Sequence, residues 1–279
     1  MKIITTISEI NETLNIFHKE GKNIGFVPTM GALHAGHISL IQESKENNDI
    51  TVTSIFVNPI QFNNKEDLDK YPNQIEKDIQ MLEDVNCDIL FKPTVNEMYP
   101  TPDNSEFHFG KLEGVMEGAN RPGHFHGVAV VVKRLFEIIK PTKAYFGKKD
   151  FQQLLIVQSL VSQHNLSPEI IACDIVREED GLAMSSRNKR LSFAQRRKAP
   201  AIYENIKKAK DLKDYLSPKQ LKHWMQERYL DNEDFILEYF EIADSKTLES
   251  ITEWDTSKKA MGFIVVHLGG VRLIDNIEL

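Results

Sequence analysis

From Ile24 to Cys173 short apolar runs alternate with amphipathic stretches, the pattern of a parallel sheet whose strands are joined by helices. Strands are expected near 24–28, 50–57, 88–92, 143–147 and 169–174. Ile75, Ile79, Leu82 and Val85 recur at helical spacing, and residues 128–139 read the same way, although the Val130-Val131-Val132 run also suits a strand. After Asp180 the character changes. Polar helical patterns run near 192–211 and 218–230, a strand-like stretch runs from Phe235 to Ala243, and Gly269-Gly270 marks a hairpin. Ser217-Pro218 is a helix start, a capping hydroxyl followed by a proline that needs no N–H partner. The fold class expected is α/β: a Rossmann-like doubly wound parallel sheet followed by a smaller α+β C-terminal domain. The division is placed at 1–178 and 179–279, with the joint inside 176–184.

The first strand leads into the most informative segment. Ile24, Phe26 and Val27 suit a buried strand, Pro28 ends it, and Ile38, Leu40 and Ile41 resume on a helix, so His34 and His37 fall at a helix N-terminus. Unpaired backbone N–H groups and roughly half a positive charge favour an anion there. Gly31 and Gly36 permit close approach of backbone to it, with Met30, Ala32, Leu33 and Ala35 completing the turn. A spacing of three puts both imidazoles on one face, where they can donate to phosphate oxygens and stabilise a leaving pyrophosphate. Two histidines so spaced could also ligate a metal, with His124 and His126 as further ligands. The strand–turn–helix setting with flanking glycines favours phosphate.

In an open parallel sheet, ligands bind beyond the carboxyl ends of the strands. After the second expected strand comes Phe56-Val57-Asn58-Pro59-Ile60-Gln61-Phe62, where Asn58 and Gln61 are neutral hydrogen-bonding groups among apolar ones, suited to a small polar substrate. After the fourth comes Gly147-Lys148-Lys149-Asp150-Phe151-Gln152-Gln153, offering lysine to phosphate. After the fifth, Val176 to Asn188 includes Met184-Ser185-Ser186-Arg187, hydroxyls and a guanidinium for phosphate oxygens.

Composition narrows the class. The chain has 279 residues, 41% hydrophobic and 27% charged, as ordinary globular proteins do. A net charge of −7 argues against a nucleic-acid binder, while leaving room for a local basic pocket. Cys87 and Cys173 stand alone, without C-x-x-C spacing. The N-terminus turns polar too soon for a signal peptide, and no apolar run approaches the roughly 18 residues of a membrane span. A cytoplasmic enzyme with no nucleic-acid or membrane partner is expected. Nucleophile elbows, paired carboxylates and the GxxxxGK[ST] loop are absent. What remains is attack on an α-phosphate with pyrophosphate leaving.

Four blocks, in order, resemble the pantothenate synthetase family: Pro28-Thr29-Met30-Gly31-Ala32-Leu33-His34-Ala35-Gly36-His37, the Phe56 to Phe62 run, Lys149-Asp150-Phe151-Gln152-Gln153, and Met184-Ser185-Ser186-Arg187-Asn188. The histidine pair alone gives only a nucleotidyltransferase superfamily. The resemblance implies ATP-dependent condensation of (R)-pantoate with β-alanine through a pantoyl adenylate, releasing AMP and pyrophosphate. It implies that His34, His37, Lys149, Ser185, Ser186 and Arg187 offset charge at the phosphates. Met30, Gln61 and Gln153 would hold pantoate, Val128, Val131 and Val132 its geminal methyls, and Gln61 also β-alanine. Gly147, Asp150 and backbone near Val176 would hold the adenosine portion, Asp150 at the ribose, and Lys148 and Met184 are further expected ATP-binding residues. Mg2+ would arrive on ATP, and a homodimer is implied. His126 stands where arginine is common in the family, and Asn63-Asn64 and Asn73 also depart from its pattern, in a loop expected to cover the pocket. The C-terminal domain is expected to close over the ATP site. A metal-dependent hydrolase using His34, His37, His124 and His126, and a non-catalytic nucleotide sensor, are the alternatives.

Overall fold

The computed structural model describes residues 1–62, 68–69, 71–101, 105–230 and 232–279. Asn63 and Asn64 lie outside the described residues. Two compact units are present, one of residues 1–148 and 152–174, the other of 149–151 and 175–279.

The first unit runs β1 (Lys2–Ile4), α1 (Ile7–Lys19), β2 (Ile24–Thr29), α2 (Ala35–Asn47), β3 (Ile50–Ile55), α3 (Ile75–Asp84), β4 (Ile89–Phe91), α4 (Val95–Met98), α5 (Met116–Asn120), α6 (His124–Ile139), β5 (Lys143–Gly147), α7 (Phe151–Gln163) and β6 (Glu169–Cys173). Its six strands are parallel, in the order β1-β4-β3-β2-β5-β6. Neighbouring residues alternate between its faces. Phe26, Phe91 and Phe146 join α1 and α6 in one apolar core, while Val27, Leu90 and Tyr145 join α2 and α3 in another. Apolar cover on both faces explains why the strands read as continuous hydrophobic runs. The five expected strands are found, so the parallel sheet is as read.

Three elements differ from expectation, β1, α1 and the 192–211 helix, while the valine run takes the helical one of its two readings. β1 and α1 were not anticipated. A three-residue edge strand is too short to carry a period, but α1 has a legible one: Ile7, Ile10, Leu14 and Phe17 face the core, and Thr6 caps it by accepting from the Glu9 N–H at 3.3 Å. Val130-Val131-Val132 is helical, because α6 is buried on nearly every side and tertiary burial outweighs the β-preference of valine. The helix expected over 192–211 is two, α8 (Phe193–Lys198) and α9 (Ala201–Leu212), interrupted at Pro200, whose ring and missing N–H stop the ladder.

The second unit adds α10 (Pro218–Tyr229), β7 (Phe235–Asp244), β8 (Ala260–Leu268) and β9 (Val271–Glu278). Its antiparallel sheet, ordered β7-β8-β9, packs Ile264, Val266 and Leu273 against Ile202, Ile206, Leu221 and Met225 of the helices. The hairpin closes through Gly269 and Gly270, both with positive φ, as a two-residue primed turn requires. Ser217 caps α10 in a reciprocal box with Gln220.

Candidate active site

Strand order in the first unit reverses between β2 and β5, and the crevice beyond their carboxyl ends is where open α/β sheets bind ligands. The turn after β2 is held from several directions. The Thr29 hydroxyl donates to the Ser54 carbonyl at 2.7 Å and accepts from the Gly31 N–H at 3.1 Å. Gly31 and Ala32 both adopt left-handed backbone, φ 78° and 51°. For an alanine this conformation costs about 1–2 kcal/mol. What holds it is Asp78 of α3, 1% exposed, whose two carboxylate oxygens accept from the Ala32 and Leu33 N–H groups at 2.9 and 2.8 Å. Gln74 donates to the same carboxylate at 3.2 Å. Sequence reading missed Asp78, because its partners lie 46 and 45 residues away and nothing local marks them.

The helix starts at Ala35, so His34 caps it and His37 occupies its first turn. His34 Nδ1 accepts from the Gly36 N–H at 3.1 Å, and His37 Nδ1 accepts from the His34 N–H at 3.3 Å. The rings lie 4.1 Å apart, centroid to centroid. Because each Nδ1 is an acceptor, each neutral ring carries its proton on Nε2. Two imidazole N–H donors are thus oriented through backbone N–H groups at the positive end of α2.

Gln61 is brought to this turn, its amide Nε2 lying 2.9 Å from Met30 Sδ. Asn58 sits beneath it, fully buried. The Asn58 amide donates to the Gly127 carbonyl at 2.9 Å and to Gln61 Oε1 at 3.3 Å, and its oxygen accepts from the Tyr99 hydroxyl at 3.0 Å. Asn58 therefore orients Gln61. A Cβ at Gly127 would stand 2.5 Å from Gln61 Cα, so only glycine lets α6 approach this closely. His124 donates from Nδ1 to the Gln61 carbonyl at 3.0 Å and faces Arg121 through Nε2, also at 3.0 Å. Val128, Val131 and Val132 are buried along the same helix.

Gly147 ends β5, and the Lys148 ammonium pairs with Asp174 at 2.5 Å on an exposed edge. Gln152 is buried, its amide donating to the Leu112 and Val115 carbonyls and accepting from the Glu117 N–H, so it pins the segment before α6. Gln153 is half-buried in the first turn of α7.

In the second unit, Lys149 lies 3.9 Å from Asp150 and its carbonyl accepts from the Asn276 amide at 2.9 Å. The Val176 to Arg190 segment is closed by backbone bonds from Met184 to Val176 and from Glu178 to Leu182. Its brace is Arg177. The guanidinium meets both Asp275 oxygens at 2.6 and 3.0 Å, donates to the Gly181 carbonyl, and stacks 3.8 Å over Tyr203. Burial pushes the Asp275 carboxyl up, and the Arg177 hydrogen bonds and charge oppose that. Ser185 caps the turn of Ser186–Arg190, accepting from the Arg187 N–H at 3.2 Å, and the Arg187 guanidinium reaches the Arg272 carbonyl at 3.4 Å. Asn188 is buried, donating to Glu178 and Ala183. Arg177 and Asp275 were not read from the sequence as a pair, being 98 residues apart.

The four histidines do not gather. His124 is committed to Gln61 and Arg121, His126 packs edge-on against Phe107, and no group of three or more His, Cys, Asp or Glu could hold a metal among the described residues. Burial also raises both thiols, Cys87 and Cys173, above the ordinary cysteine range. No described helix is long and apolar enough to cross a membrane.

The family model for pantoate–beta-alanine ligase matches residues 2–278. Pantothenate synthetase of Bacteroides thetaiotaomicron is 48% identical over 278 residues, spanning 100% of this chain and 99% of the relative. The crystal structure of pantothenate synthetase from Thermus thermophilus superposes with a TM-score of 0.92 at 38% identity, covering 100% of this chain and 99% of that one. That of pantoate–beta-alanine ligase from Francisella tularensis, complexed with beta-gamma ATP and beta-alanine, superposes at 0.83 with 36% identity over 100% and 97% of the two chains. The chain belongs to the pantoate–beta-alanine ligase family.

Proposed function

We propose that this chain condenses (R)-pantoate with β-alanine in an ATP-dependent reaction, through an enzyme-bound pantoyl adenylate. The reading is carried by the reciprocal histidine cap at the switch point, within a chain that matches its family from end to end. In the first step a pantoate carboxylate oxygen attacks the α-phosphorus and the bond to the β-phosphate bridging oxygen breaks. Pyrophosphate leaves. In the second step the β-alanine amine attacks the acyl carbon, the bond to AMP breaks, and the amine nitrogen gives up a proton. Activation is needed because a free carboxylate is a poor acyl donor to an amine, whereas the mixed anhydride carries AMP as a good leaving group.

His34 and His37 are assigned to the departing phosphates, donating from Nε2 beside the first N–H groups of α2. Lys149, Ser185, Ser186 and Arg187 are assigned to phosphate oxygens as well. Met30, Gln61 and Gln153 take pantoate, with the Gln61 amide already set by Asn58, and Val128, Val131 and Val132 take its methyls. Gly147, Asp150 and backbone near Val176 take the adenosine portion, and Lys148 and Met184 are assigned to ATP as well. Mg2+ is assigned to ATP itself, where it would neutralise phosphate charge. It prefers phosphate oxygens and water, and the Asp78 carboxylate is already engaged by backbone N–H groups. A cytoplasmic homodimer is proposed, with domains divided near 178; sedimentation at micromolar concentration checks the dimer.

Pantoate labelled with 18O in its carboxylate tests the route. One label atom is expected in the phosphate of AMP; unlabelled AMP beside labelled pantothenate would overturn the adenylate.

A further inference from the structure

The structure groups Lys149 with the second unit, although the strand before it and most of the helix after it belong to the first. Two adjacent residues of β9 account for that. Asn276 donates its side-chain N–H to the Lys149 carbonyl at 2.9 Å, while Asp275 grips Arg177, the brace of the Val176 to Arg190 segment. Adjacent strand residues face opposite ways. Asp275 shares a face with Leu273 and Ile277, which pack towards the helices of this unit, as does the Tyr203 ring beneath Arg177. On the other face, the cross-strand partner of Asn276 is Phe263, whose ring lies 5.7 Å from that of Phe151. The Lys149–Phe151 segment is therefore held twice, by the Asn276 amide and by Phe263. The two residues are also tied to each other. Asp275 accepts from the Asn276 N–H at 2.8 Å, and Arg177 reaches the Asn276 carbonyl at 3.4 Å. Both are almost completely buried.

We infer that Asn276 is a positioning residue for Lys149, and that the Asp275-Asn276 dipeptide couples this lysine to the Ser185-Ser186-Arg187 turn so that both are presented by one rigid strand. The inference rests on the adenylation chemistry proposed above. Asn276 touches no substrate in this scheme; it acts by fixing the backbone from which the ammonium projects. A helix-start lysine on a loosely held carbonyl would still bind phosphate, but its charge would arrive out of place for the transition state, where displacements near 1 Å cost up to about 100-fold.

The test is the single-turnover rate of pyrophosphate release from ATP and pantoate, measured for the wild type, Asn276→Ala, Asn276→Asp, Lys149→Ala and the Lys149→Ala/Asn276→Ala double variant. Asn276→Asp keeps the shape but replaces the donor by a carboxylate oxygen and adds a charge beside Asp275, Asn276→Ala removes the donor without adding charge, and thermal melting accompanies each variant. Both Asn276 variants are expected to release pyrophosphate about 10- to 100-fold more slowly, with little change in the KM for pantoate. In the Lys149→Ala background, Asn276→Ala should change the residual rate by no more than about twofold, because the group it positions is gone. A wild-type rate in Asn276→Asp, or losses that multiply in the double variant, would overturn the inference while leaving the reaction intact. A wild type that releases no pyrophosphate would instead overturn the reaction, and the positioning role with it.

Discussion

The turn carrying His34 and His37 and the segment carrying Ser185 to Arg187, both assigned above to phosphate, are built by different means. The first is built from neutral donors: backbone N–H groups and imidazoles whose Nδ1 atoms are fixed by backbone. A charged support, Asp78, is engaged by the Ala32 and Leu33 N–H groups. The second adds ion pairs to its backbone bonds, with Arg177 on Asp275 and Arg196 on Glu178 and Asp180. Neutral, backbone-fixed donors keep their geometry whether or not a ligand is present. An ion-paired brace depends on both partners. Both regions draw a support from far along the chain, Asp78 in the first and Asp275 in the second, but the imidazoles themselves are fixed by neighbouring backbone.

Breaking the brace should have the largest effect. Arg177→Ala leaves the Asp275 carboxylate buried without its partner, and chemical denaturation is expected to show a loss of about 3–5 kcal/mol. Next comes the neutral side. His37→Ala removes a donor assigned to the leaving phosphates, and the adenylation rate should fall by about 10²–10³-fold, or roughly 2.7–4 kcal/mol. A full rate would remove His37 from the site. Asp78→Asn keeps one acceptor oxygen but turns an N–H towards backbone donors, so a loss of about 1–3 kcal/mol of stability is expected, together with a lower adenylation rate. Smaller still is the acid limb of the second unit. Hydrogen bonds from Arg272, opposed by burial and helped by His267, hold the Glu238 carboxyl below the usual range. A depressed carboxyl contributes stability above its unfolded pKa and loses it as pH falls through the folded value. Wild type should therefore lose more stability than Glu238→Gln between about pH 6 and pH 3, by about 1 kcal/mol or less. Parallel acid titrations of the two proteins would refute it. The smallest expected effect is at Lys148, whose exposed pair with Asp174 should change stability by under about 1 kcal/mol in Lys148→Ala.

The two regions also differ in how much of them the sequence reveals. The histidine turn is contiguous, and its strand, proline, glycines and helix period all point one way, so both the motif and its place at the end of β2 are legible. The second region is legible only as a polar loop. Its brace joins residues 98 positions apart, and neither Arg177 nor Asp275 stands out from the many exposed charges of the chain. The same holds for Asp78, which reads as one more polar position on an amphipathic helix, and for Asn58, which reads as a ligand to substrate but is occupied in orienting Gln61. Short or interrupted elements escaped for local reasons: β1 is too brief for a period, and Pro200 splits a helix that composition alone would continue. The period of α1, by contrast, was there to be read.

The central claim is that this chain activates a carboxylate as an adenylate before any amine enters. Isotope exchange between pyrophosphate and ATP, with magnesium present, tests it most directly when run with pantoate, with β-alanine and with neither. The account predicts exchange that requires pantoate alone. Exchange that appears only when β-alanine is also supplied, or that is indifferent to pantoate, would contradict it.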